Sequence, residues 1–106
     1  MLFRSLSIAK EVEDKAEEGR AYGNLGETYR SLGDYRKATE YHLKELRIAK
    51  DLGDKTEEGR ALGFLGDCYR SIREFKRSID FHKLGIEMLK QAGNRDRKST
   101  RLNSSH

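Results

Sequence analysis

The chain repeats itself every 40 residues. Glu17-Glu18-Gly19-Arg20-Ala21 returns as Glu57-Glu58-Gly59-Arg60-Ala61, Leu25-Gly26 as Leu65-Gly66, and Tyr29-Arg30-Ser31 as Tyr69-Arg70-Ser71. Ile8-Ala9-Lys10 returns as Ile48-Ala49-Lys50, and His42 as His82. Other pairs change conservatively, among them Tyr35/Phe75, Arg36/Lys76 and Tyr41/Phe81. A fixed period of this size marks a solenoid, in which each unit buries its apolar face against the next.

Each period reads as two helices. Asp14-Lys15-Ala16-Glu17 and Asp54-Lys55-Thr56-Glu57 look like N-caps with an acidic residue at N3, close to a capping box. Gly33-Asp34 supplies a C-cap and the next N-cap, and Gly53 and Gly93 are placed to end second helices. The spacing predicts five helices: a leading one at about 2–12, then 15–32 with 35–52, and 55–72 with 75–92. At the helical period, Ala21, Leu25, Thr28, Tyr29 and Leu32 share one arc. Tyr35, Ala38, His42, Leu46 and Ala49 form a second apolar face, and Phe75, Ser78, His82, Ile86 and Leu89 a third. Gly23, Gly26, Gly63 and Gly66 fall inside the first helices, where each costs ~1 kcal/mol relative to Ala. Their recurrence points to close helix–helix approach, which a missing Cβ permits. The fold class is therefore all-α, an α-solenoid of antiparallel helix pairs with about two and a half repeats.

Composition narrows the function classes. One Cys cannot pair within the chain, so no disulfide framework exists. There is no run of ~18 apolar residues to span a membrane, and no apolar core of a secretory signal follows Met1-Leu2-Phe3. A lone thiol without a signal favours a reducing compartment, the cytoplasm. Arg95, Arg97, Lys98 and Arg101 against Asp96 place most of the formal +4 charge in the last twelve residues. The body is nearly neutral, with basic and acidic residues interleaved, so it lacks the basic stripe of a nucleic-acid binder.

The run Tyr22, Leu25-Gly26, Tyr29, Gly33, Tyr35, Ala38 resembles the tetratricopeptide repeat. The second copy reads Leu62, Leu65-Gly66, Tyr69, Arg73, Phe75, Ser78. Arg73 replaces the turn glycine, Ser78 replaces alanine, and no Pro closes either unit. The resemblance covers residues 1–94. Extended units reading Gly-Arg-Ala-Tyr-Gly-Asn-Leu-Gly are similar to those of the Partner-of-Inscuteable class of G-protein-signalling modulators and of the tetratricopeptide protein 28 family. No GoLoco-like Gα-binding motif accompanies them.

The resemblance implies a non-enzymatic scaffold whose first helices line a concave groove for a partner peptide. On 15–32 the groove candidates are Arg20, Asn24, Glu27 and Ser31, which lie opposite the core arc. On 55–72 they are Arg60, Phe64, Asp67 and Ser71. Arg30, Arg70, Gly23 and Gly63 flank the strip. The arginines would offer forked donors to carboxylates of an acidic segment. Asn24 would pair with a peptide amide, Phe64 would be an apolar anchor, and the glycines would let a ligand backbone approach. The alternative is a solvated face laced with Arg–Glu and Arg–Asp pairs, which implies no ligand.

His42 with Glu45 three residues on invites a metal, but zinc needs more ligands than the pattern offers. A packed imidazole is expected at both His42 and His82. Cys68 matches Thr28 on the core side of its helix and is expected to be a buried, inert thiol. No phosphate-binding glycine run and no nucleophile with a base is present, so neither enzyme nor cofactor is expected.

Residues 95–106 break the repeat where a third Glu-Glu-Gly-Arg-Ala is due. They read as a disordered basic tail and resemble a translated cloning or assembly sequence. Without capping repeats the array reads as a piece of a longer one. Its uncapped end helices make self-association, or a role as a structural spacer in a larger regulator, the alternative to peptide binding.

Overall fold

The computed structural model describes the backbone of residues 2–104 and the side chains of residues 8–93. It contains four helices: α1 (Leu2–Ser31), α2 (Tyr35–Leu52), α3 (Lys55–Ser71) and α4 (Phe75–Ser104). Each helix packs against its neighbours in sequence, α1 on α2, α2 on α3 and α3 on α4. The result is two antiparallel hairpins stacked through α2 and α3.

Three turns share one design. In the first, Gly33 N–H donates to Arg30 O at 3.0 Å and Asp34 N–H to Tyr29 O at 2.9 Å. Gly53 and Asp54 repeat the pattern on Lys50 O and Ala49 O, and Arg73 and Glu74 on Arg70 O and Tyr69 O. These paired bonds satisfy the last helical carbonyls and require a left-handed residue at the bend. Gly33 (φ 82°) and Gly53 (φ 69°) supply it, and so does Arg73 (φ 66°). The Asp34 and Asp54 carboxylates then cap the next helices, accepting from Lys37 N–H at 3.2 Å and Glu57 N–H at 3.1 Å.

The expected fifth helix is absent, because the turn near residue 13 does not form and α1 runs straight through it. The residue one period before Gly53 is Glu13. A side chain in the left-handed region costs roughly 1–2 kcal/mol, and continuing the helix avoids that strain. Arg73 accepts the strain because α3 and α4 pack along each other on both sides of its turn. Gly93 likewise does not end α4, which continues to Ser104. Asn94 keeps a capping side chain there, but Arg97 stands in place of Glu57, so the acidic half of the pair that starts α3 has no counterpart. The run expected to be a disordered tail is thus helical in backbone as far as Ser104; Ser105 and His106 lie outside the described residues.

The core is the α2–α3 seam. Leu46 packs with Ala61, Leu62 and Leu65, and Tyr69, Phe81 and Met88 close over them. Ala38, Ala49 and Cys68 are also buried. The other two expected apolar faces are largely open. Leu25 and Leu32 on α1 and Phe75, Ile86 and Leu89 on α4 are exposed, because α1 and α4 are the outermost helices. Within each hairpin, aromatic rings stack: Tyr29 on Tyr41 at 5.4 Å and Tyr69 on Phe81 at 5.1 Å. The Lys44 ammonium lies over the Tyr41 ring at 5.3 Å. Tyr22 donates to Glu18 Oε1 at 3.1 Å, and this bond holds its phenol above the usual pKa.

The recurring Leu-Gly glycines do admit close packing. A Cβ at Gly26 would stand 2.6 Å from His42 Nε2, and one at Gly66 2.6 Å from His82 Nε2. The histidines occupy the space that a side chain would fill. Burial raises the Cys68 thiol pKa above its ordinary value, the effect of removing a thiolate from water.

Candidate peptide-binding groove

A cavity of about 190 Å3 opens between α1 and α3. Its walls are Arg20, Gly23, Asn24 and Glu27 from α1 and Glu57, Arg60 and Phe64 from α3, with Glu45 of α2 at its base. A second cavity of about 120 Å3 shares Arg20, Glu45 and Glu57 and continues toward Ala16, Leu52 and Asp54. The two are contiguous along the inner side of the stack.

Six of the twelve expected groove residues therefore come together: Arg20, Gly23, Asn24, Glu27, Arg60 and Phe64. The other six do not line the cavity. Arg30 grips Glu27 through two bonds, Nε to Oε1 at 3.1 Å and a terminal nitrogen to Oε2 at 3.0 Å. That grip raises the Arg30 pKa, the hydrogen bond to Glu27 being the main cause. Arg70 lies 4.0 Å from Asp67, and the Ser71 hydroxyl donates to the Asp67 carbonyl at 3.1 Å. Ser31 is exposed beyond the end of the cavity, and a Cβ at Gly63 would meet nothing.

Glu45 and Glu57 line the groove without having been expected there. Glu57 holds Arg60 at 3.0 Å, so that arginine already has a carboxylate. Arg20 has no ion pair among the described residues. Glu45 is only 6% exposed. Its carboxylate fills the space over Gly23, where a Cβ would collide with it. Gly23 therefore makes room for an acidic group from α2, in addition to bordering the groove. The sequence carries only a partial signal for Glu45: a glutamate at the edge of the apolar arc that holds His42 and Leu46.

His42 is fully buried behind this wall, as expected of a packed imidazole. Its Nδ1 lies 2.9 Å from Glu45 Oε1. The ring stacks on Phe64 with centroids 4.9 Å apart, and Nε2 lies 3.7 Å from Glu27 Oε1 without a hydrogen bond. His42 thus fixes one face of Phe64 and the position of Glu45. His82 departs from expectation. It is half-exposed, 3.4 Å from Asp67 Oδ1, because no helix covers α4 on that side.

The groove is thus a mixed surface: an arginine with no ion pair among the described residues, an amide, an apolar ring held from behind, and three carboxylates. Such a lining suits an extended polypeptide, which presents amides, carbonyls and charged side chains together. Hairpins of this size, stacked with their first helices facing a common groove, are the architecture of one repeat family. The tetratricopeptide repeat profile matches residues 4–51 and 17–91, nearly the whole described chain. The chain belongs to the tetratricopeptide repeat family. Tetratricopeptide repeats mediate protein–protein interaction, typically without catalysis. Mouse and rat G-protein-signaling modulator 1 are each 56% identical over 36 residues, which is 34% of this chain and 5% of theirs. The human protein of that name is 54% identical over 35 residues, 33% of this chain and 5% of its own length. The chain thus matches a small fraction of its curated relatives. No described helix is long and apolar enough to cross a membrane.

Proposed function

We propose that this tetratricopeptide array is a non-enzymatic scaffold that holds an extended segment of a partner protein in the α1–α3 groove. The observation that carries the reading is the set of lining groups. Phe64 is braced by His42 and offers an apolar seat, while Arg20 faces the same cavity with no ion pair among the described residues. Asn24, between them on the wall, suits a backbone amide or carbonyl. Arg20 and Arg60 favour a carboxylate on the partner, Arg60 by exchanging Glu57 for it. The likeness to proteins named G-protein-signaling modulator 1 extends the proposal to partners in G-protein signalling. A cytoplasmic place belongs to the same proposal and rests on the lone buried thiol.

Charge reversal tests it. Arg20→Glu with Arg60→Glu is expected to abolish binding to an array of acidic peptides while helicity by circular dichroism stays unchanged. Retained binding in the double variant would place the site elsewhere.

A further inference from the structure

The seam that joins the two hairpins pairs two unlike faces. On α2 it uses His42 and Leu46; on α3 it uses Ala61, Phe64 and Leu65. Both faces recur one period away. The α2 face returns on α4 as His82 and Ile86, and the α3 face returns on α1 as Ala21, Asn24 and Leu25. In the seam Leu46 is 7% exposed and Leu65 0%, whereas their counterparts Ile86 and Leu25 are 54% and 40% exposed. One molecule therefore carries both halves of its own internal interface, largely uncovered, at opposite ends of the stack.

We infer that copies of this chain associate head to tail, α4 of one copy packing on α1 of the next, so that the α2–α3 seam is rebuilt between molecules. Ile86 takes the place of Leu46 and covers Leu25 of the second copy. His82 takes the place of His42. Where His42 stacks on Phe64, His82 meets Asn24 of the second copy, whose side-chain amide can pair with either ring nitrogen. The association goes beyond peptide binding and does not depend on it. It would lengthen the groove, because Arg20 and Asn24 of the second copy continue the wall that Arg60 and Phe64 begin. Joining unlike faces leaves one face free on each copy, so growth continues past the dimer unless a ring closes.

Sedimentation velocity over a wide range of concentrations tests the inference with the whole 106-residue chain. Two variants each block one face: Leu25→Asp on α1 and Ile86→Asp on α4. Both side chains are about half-exposed, so the monomer fold is expected to persist, checked by circular dichroism. The wild type is expected to form oligomers that grow with concentration. Each variant alone is expected to remain monomeric. Mixed in equal amounts they are expected to form a 1:1 heterodimer and nothing larger, since each retains the face that the other lacks. Three results would overturn the inference: a wild type that stays monomeric throughout, a Leu25→Asp variant that dimerises by itself through α4, or a mixture that stays monomeric. The wild-type measurement stands alone if either variant fails to fold.

Discussion

Arg73 shows a packed frame overriding a residue's own preference. It stands one period after Gly33 and takes the same left-handed backbone, at φ 66°. That conformation strains an L side chain by roughly 1–2 kcal/mol, and Gly would relieve it. Gly would also loosen the unfolded chain, which takes back part of the gain. Arg73→Gly is therefore expected to stabilise the fold by about 0.5–1 kcal/mol, read as a higher thermal midpoint with unchanged helicity. A lower midpoint would show that the turn holds Arg73 without strain. The substitution at 73 is legible in the sequence, because the period places it against Gly33. Glu45 was harder to read. A glutamate on an apolar arc gives no direction for its carboxylate until the helix opposite is known to present Gly23. The groove candidates divide for a similar reason. Spacing along one helix finds Arg20, Asn24 and Glu27, but which arginines are held by neighbouring carboxylates depends on rotamers that spacing does not fix.

At the scale of elements, local signals and their absence decide where helices end. The turns at 33, 53 and 73 each rest on two backbone bonds and a left-handed residue. The Asp caps that follow Gly33 and Gly53 are plain in the sequence, as is the helical spacing of the apolar residues. The expected turn at 13–14 rested on the Asp14 cap and the one at 93–94 on Gly93, and in each the other half of the chemistry of the bend is missing. At 13 the left-handed glycine is replaced by Glu13; at 97 the acidic partner of the cap is replaced by Arg97. Restoring that chemistry should restore a bend. Glu13→Gly is expected to raise amide hydrogen exchange at residues 10–16 several-fold, as a helix-interior Gly weakens α1 by ~1 kcal/mol and opens a left-handed alternative. Protection that stays at the wild-type level there would mean that something other than Glu13 keeps α1 continuous.

For the molecule as a whole, the question is which faces of a repeat are covered. Periodicity assigns the same apolar arc to every unit, but a stack of four helices has only one seam between its two hairpins. Leu25 and Leu65 hold equivalent positions and differ only in having, or lacking, a helix on that side. Leu65→Ala removes a fully buried side chain and is expected to destabilise by about 2–5 kcal/mol, much of the stability of a domain this small. Leu25→Ala trims a half-open position and is expected to change the stability of the dilute monomer by under about 1 kcal/mol. Denaturant titration of both variants measures the contrast, and near-equal losses would mean that α1 is covered after all. Concentration adds a second axis. If α4 of another copy occupies the α1 face, Leu25 becomes buried as the protein is concentrated, and stability gains a mass-action term. The loss caused by Leu25→Ala should then grow with protein concentration while that of Leu65→Ala stays constant. The same side chain would be a surface residue in the monomer and a core residue in the assembly.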